Sequence, residues 1–156
     1  MSSKVSEHGE LLTIPEDWHL HYDYGAGPVA SRFLLGLAER RFEGRRCPSC
    51  DNVWVPPRAY CERCFVPTTE WVAVGPEGVI EAATVVTLRL GDREPPYVVA
   101  FCRLDGASTC LVNYLKMPLD DPEAAQRQLA RGTRVKAVFA SSPESRMSAF
   151  HYELAE

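Results

Sequence analysis

Six cysteines carry the clearest chemistry in this 156-residue chain: Cys47, Cys50, Cys61, Cys64, Cys102 and Cys110. The first four read Cys47-Pro48-Ser49-Cys50, then ten intervening residues, then Cys61-Glu62-Arg63-Cys64. Each Cys-x-x-Cys turn is tight enough to aim two thiolates at one ion. A hairpin between the turns brings the two pairs to the corners of a tetrahedron. The spacing predicts a zinc-ribbon centre with Cys47, Cys50, Cys61 and Cys64 as its ligands. A mononuclear iron site would use the same four sulfurs, and donor softness and geometry do not separate the two metals. A disulfide framework fits poorly with a reducing cytosol, and a thioredoxin-like redox pair needs one such turn rather than two facing turns. With four thiolates bound the ion keeps no open position for water or substrate, so its role is structural. It folds a segment too short to bury a core unaided.

Cys102 and Cys110 do not extend the pattern. Cys102 lies in a run where residues 98, 100, 102 and 104 are apolar by alternation, which predicts a small buried hydrophobe. No histidine stands near it in sequence to act as a base, so a nucleophilic role is not expected.

The elements that must hold the ribbon flank it on both sides. Over residues 29–44 Ala30, Phe33, Leu34 and Leu37 share one stripe while Arg32, Glu39 and Arg40 face outward. This predicts an amphipathic helix that starts at a Ser31 cap and stops at Gly44. Val53-Trp54-Val55 reads as a strand that Pro56-Pro57 ends. After Cys64 the chain becomes strand material: 70–74, 79–90, 97–104, 109–115, 133–140 and 147–154, with a helix over 121–131. Asp120-Asp121 sit where they would cap that helix rather than perform acid–base chemistry. Five or six strands with one helical excursion before the penultimate strand predict a small closed barrel, most economically an OB-fold. The chain thus divides into an arm (1–28), the helix (29–44), a rubredoxin-like zinc ribbon (45–69) and a five-stranded OB-fold barrel (70–156). The fold class is mainly β.

Composition narrows the function. Hydrophobic residues at 46% and charged residues at 24% exclude a wholly disordered chain. The longest apolar run, 97–102, is far short of the roughly 20 residues of a membrane span. The first ten residues lack the apolar core of a secretory signal, so a cytoplasmic protein with no membrane partner is expected. A net charge of −4 argues against a general nucleic-acid binder. Fourteen of the seventeen basic residues are arginine, which suits fixed, bidentate contacts to phosphate or carboxylate. The arm carries Trp18, Tyr22 and Tyr24 in one dense aromatic stretch, the residue types that anchor interfaces.

An amphipathic helix, Cys47-Pro48-Ser49-Cys50, Pro56-Pro57-Arg58, Cys61-Glu62-Arg63-Cys64, Glu70-Trp71-Val72 and Pro95-Pro96-Tyr97-Val98-Val99-Ala100 occur here in that order. This combination resembles the zinc-ribbon/OB-fold family associated with acyl-CoA metabolism, long catalogued as a domain of unknown function. The resemblance spans roughly residues 33–154. One departure is Asp51-Asn52, which replaces the glycine common just after the first knuckle.

The resemblance implies a non-catalytic small subunit of a thiolase-like enzyme or acyltransferase, in a hetero-oligomer that makes or breaks a carbon–carbon bond on an acyl-CoA. The arm is similar to that of small subunits of two-component thiolases of the benzoylsuccinyl-CoA type. On this reading the partner carries the catalytic residues and binds most of the CoA thioester. Structural zinc is the cofactor of this chain. Arg58, with Arg45, Arg46 and Arg63, is a candidate contact to CoA or to the partner, and Trp18, Tyr22 and Tyr24 are candidate partner-binding residues. The competing readings are a partner of an acyl-CoA hydratase or aldolase, and a nucleic-acid-binding ribbon/OB module.

Overall fold

A computed structural model describes residues 4–5, 12–13, 18–89 and 93–155. Of the arm predicted over 1–28, residues 1–3, 6–11 and 14–17 lie outside the described residues, as do residues 90–92 of the predicted strand and loop. Two short strands, β1 (Lys4–Val5) and β2 (Leu12–Thr13), pair antiparallel.

The helix α1 (Gly27–Ala38) begins earlier and ends sooner than its periodicity predicts. Pro28 sets the first turn, and Ala26 rather than Ser31 takes the N-cap position, without a side-chain hydrogen bond. At the far end Arg40 adopts φ 60, and the Arg41 N–H reaches back to the Gly36 carbonyl at 2.8 Å. This left-handed stop turns Phe42 inward and starts a strand where the sequence predicts more helix. Gly44 is therefore no helix terminator. It lies in β3 (Glu43–Arg46), where a Cβ would fall 2.6 Å from Val53 and 2.9 Å from the Trp54 carbonyl.

β3 is the middle strand of a three-stranded antiparallel sheet, flanked by β4 (Val53–Trp54) and β5 (Glu70–Ala73). The sequence assigns β5 to the barrel, yet its whole register, Glu43↔Ala73 through Arg46↔Glu70, lies against the ribbon.

The barrel is closed by β6 (Glu77–Val86), β7 (Tyr97–Leu104), β8 (Leu111–Lys116), β9 (Arg134–Phe139) and β10 (Phe150–Leu154), in the order β10-β8-β7-β6-β9. Closure comes from one parallel pairing, Tyr152↔Leu115 and Glu153↔Lys116, and β6 carries a bulge between Ile80 and Ala82. Between β8 and β9 lies α2 (Pro122–Gln128). Asp121 caps it, accepting from the N–H groups of Glu123 and Ala124 at 3.0 Å each. This is the five-stranded OB architecture.

One hydrophobic core joins the parts. Phe33 and Leu37 of α1, Phe42, and Val53 and Val55 of the ribbon pack with barrel residues such as Ile80, Leu104, Leu111 and Tyr152. Phe42 stands 4.9 Å, ring to ring, from both Phe139 and Phe150. The outer edge of β4 is bonded to the β7–β8 turn: the Val53 N–H donates to Ser108 Oγ at 2.9 Å, and the Val55 N–H to Thr109 Oγ1 at 2.8 Å. The ribbon base is thus fixed on the barrel. No helix among the described residues is long and apolar enough to cross a membrane.

An ionic clamp ties α1 to the ribbon. Arg32 meets the Glu43 carboxylate at 2.7 Å and Arg41 meets it at 2.8 Å. Arg32 first, and then Arg41, hold the Glu43 carboxyl below the usual glutamate range. A lowered folded-state pKa stabilises above the unfolded value of about 4.3, and the gain disappears as pH falls through the folded value. Glu43→Gln should therefore lower the melting temperature at pH 7, and the difference from wild type should shrink as pH falls below the usual glutamate range. Melting curves at pH 7 and along an acid series check this.

Candidate metal centre

The two knuckles are copies of one local structure. In the first, the Cys47 N–H donates to the Asn52 carbonyl at 2.9 Å and the Asp51 N–H to the Cys47 carbonyl at 3.0 Å. In the second, the Cys61 N–H donates to the Val66 carbonyl and the Phe65 N–H to the Cys61 carbonyl, both at 2.9 Å. The residue after each second cysteine takes the left-handed conformation, Asp51 at φ 57 and Phe65 at φ 54. The missing glycine after the first knuckle thus leaves the turn unchanged, because Asp51 adopts the glycine-like conformation.

The four sulfurs of Cys47, Cys50, Cys61 and Cys64 all lie within 4.8 Å of one another. Cys50 Sγ and Cys61 Sγ are 3.7 Å apart. A tetrahedron with metal–sulfur bonds of about 2.3 Å has edges of about 3.8 Å, so the donor set fits a four-coordinate thiophilic ion. Cys47 and Cys61 are buried against Trp54, itself 3% exposed, and Val66 packs on the same cluster. This apolar wall strengthens electrostatics around the ion.

The thiols also need that ion. Burial opposes the ionisation of Cys61, but the N–H groups of Cys64 and Arg63 outweigh it and bring this thiol down to about 6. Cys64 is pushed up to about 12, first by its hydrogen bond with Cys50 and then by burial. One thiolate forms readily, whereas four packed thiolates require a cation to balance them. When bound, the metal supplies that charge and a cross-link between the two knuckles.

Elsewhere, burial pushes the Cys102 thiol up to about 12, and Cys110 is half-buried and also raised by burial. Cys102 is the inert core residue that alternation predicts. In metal-loaded native protein a disulfide reagent should modify no more than one thiol per chain, Cys110, and that slowly. With denaturant and chelator all six should react. A spectrophotometric thiol count under both conditions checks this.

The four candidate arginines have separate surroundings. Arg45 donates to the Thr68 carbonyl and lies 5.2 Å from the Trp71 ring centre. Arg46 pairs with Glu70 at 3.0 Å. Arg58 pairs with Glu62 and sits 5.1 Å from the centre of the Trp54 ring, which itself packs on Cys47 and Cys61. Arg63 is exposed and forms no ion pair among the described residues. In the arm Trp18, Tyr22 and Tyr24 are 75–77% exposed, with Leu20 also exposed between them. These four alternate with His19, His21 and Asp23, the pattern of a strand with one apolar face.

Phe65 is not among the predicted site residues, although its place is visible in the sequence: it follows the second knuckle as Asp51 follows the first.

Comparison with known proteins agrees with this architecture. Residues 36–70 match the family model described as ChsH2, rubredoxin-like zinc ribbon domain. Residues 71–140 match the one described as ChsH2, C-terminal OB-fold domain. The chain belongs to this zinc-ribbon/OB-fold family. Among solved structures it is similar to a protein of unknown function from the DUF35 family of Sulfolobus solfataricus. That match has a TM-score of 0.61 and 21% identity, covering 83% of this chain and 87% of that one. It is also similar to a chain of the Ltp2-ChsH2(DUF35) aldolase, with a TM-score of 0.60 and 21% identity, covering 80% and 93%. No curated protein sequence matches significantly.

Proposed function

We propose that this chain is the non-catalytic, zinc-binding small subunit of a hetero-oligomeric cytoplasmic enzyme that makes or breaks a carbon–carbon bond on an acyl-CoA. The observation that carries the reading is the closed four-thiolate cage on a ribbon fixed to the barrel. Such a centre has no coordination site left for chemistry, so it serves to hold a shape. Cys102 is buried and neutral and offers no nucleophile. The exposed aromatic arm supplies the other half of the argument. Trp18, Tyr22 and Tyr24 leave large apolar area in water and are suited to bury it on a large partner.

The motif order favours a thiolase-like partner, which would hold the nucleophile, the acid–base groups and most of the CoA thioester. A second reading, an aldolase partner, draws on the Ltp2-ChsH2(DUF35) aldolase similarity. Both give this chain the same task of completing and steadying the acyl or CoA entrance. Arg58, Arg45, Arg46 and Arg63 are the candidate contacts to CoA phosphates or to acidic groups of the partner. Because Arg58 already pairs with Glu62 on an exposed surface, Arg58→Ala should change stability by less than about 1 kcal/mol. A weakened complex or a higher KM for acyl-CoA would then place Arg58 at the contact, and no change in either would remove it.

Isolation of the tagged chain from its source cells, with mass spectrometry of bound proteins, tests the reading. A stoichiometric thiolase-like protein supports it and an aldolase selects the second reading. Nucleic acid in place of a protein contradicts both.

A further inference from the structure

Phe65 is the least comfortable residue of the ribbon. Its backbone is left-handed at φ 54, a conformation that disfavours large side chains, and its ring is 83% exposed. Asp51, in the matching place, is one of the few residue types that tolerate this backbone, whereas Phe65 gains no such relief. The ring has also no core to enter. Both the strain and the exposure run against the fold, so folding alone does not account for a phenylalanine here. Tyr60, bridged to Pro67 at the base of the same turn, is 63% exposed. Arg63 adds an exposed cation with no ion pair among the described residues, while Glu62 is taken by Arg58.

We propose that Phe65 is an anchor residue that inserts into an apolar pocket, rimmed by carboxylate, on the catalytic partner subunit. Tyr60 lines the pocket mouth and Arg63 pairs with the rim. This rests on the partner-subunit reading above and specifies which part of the ribbon docks. Charge decides against a second copy as the occupant. Two wide clefts among the described residues carry Arg93 and Lys116 in one and Arg40, Arg41 and Lys136 in the other. The carboxylates there are engaged, Glu43 with Arg32 and Arg41, and Glu153 with His151. Neither cleft complements Arg63. Cys61 and Cys64 both precede Phe65, the second directly, so their ligation would tie the base of the knob to the metal centre.

The test uses the protein recovered with the wild-type chain from its source cells, purified and titrated against variants. Phe65→Gly removes the ring and relieves the backbone, while Phe65→Ala removes the ring alone. Phe65→Gly should keep one metal ion per chain, melt no lower than wild type, and bind the partner at least tenfold more weakly. Phe65→Ala should weaken binding similarly, and Arg63→Glu should weaken it further in combination. Unchanged affinity of Phe65→Gly overturns the proposal, and so does a loss of affinity that appears only together with loss of metal. Wild-type self-association abolished by Phe65→Gly also overturns it, since the occupant is then a second copy. If the recovered protein is not an acyl-CoA enzyme and Phe65→Gly still loses it, the anchor stands and the acyl-CoA reading falls. If the wild-type chain binds no protein, both fall.

Discussion

Cys50→Ser and Cys61→Ser should each reduce bound metal from one ion per chain to near zero and unfold the ribbon tip. The sulfurs of these two residues are 3.7 Å apart and belong to different knuckles, so either change cuts the cross-link between them. The tip has little else to hold it: its own apolar cluster is Trp54 with Cys47 and Cys61, supported by Val66. Structural zinc in isolated finger peptides supplies about 10–16 kcal/mol of apparent folding free energy, far more than such a cluster yields. Amide exchange should lose protection over 47–52 and 59–66. The barrel strands should retain theirs, because the Val53 and Val55 contacts to Ser108 and Thr109 lie on the barrel side. Partner binding should be lost with the tip. Elemental analysis reads the metal, hydrogen exchange the ribbon, and titration against the partner the binding. Full ribbon protection in a metal-free variant would show that the metal does not fold it.

Gly78→Ala should be the most damaging single methyl in the barrel. Gly78 pairs with Leu104 on one side and Val135 on the other, where β6 bends to serve both neighbours. A Cβ there falls 2.5 Å from the Arg103 carbonyl oxygen and 2.9 Å from the Leu104 Cα. Both obstacles are backbone, so no side chain can rotate away. Overpacking of this kind costs about 3 kcal/mol or more, at the upper end of the usual range. For a chain this size that is a fall in melting temperature of roughly 6–12 °C. Gly25→Ala, with nothing within 4 Å of its Cβ, is the control and should melt as wild type does. A thermal scan of the two variants decides the point.

The metal centre was legible because its information is local: two Cys-x-x-Cys turns and a hairpin between them contain the whole ligand set. The barrel strands were legible from alternation, and Asp121 from its place before a helix. What the sequence hid depends on contacts between distant segments. The predicted helix runs on past Ala38 because nothing local marks its end; the chain turns at Arg40, where Phe42 goes on to pack against Phe139 and Phe150. Gly44 reads as a helix stop, whereas it is a gap that lets β3 pass Val53. Glu70–Ala73 has strand composition, but only pairing with β3 reveals which sheet it joins. The place of Phe65 after its knuckle is visible in the sequence, but its strain is a dihedral angle and its exposure a tertiary fact.

The central claim is that this chain works by completing a partner and performs no chemistry itself. Reconstituted turnover tests it most directly: the acyl-CoA-acting protein recovered from the source cells, assayed alone, with the wild-type chain, and with Cys61→Ser. Carbon–carbon cleavage or formation should require both proteins, should be absent from this chain alone, and should fail with Cys61→Ser. Turnover by the isolated chain, or full activity of the partner without it, would contradict the account.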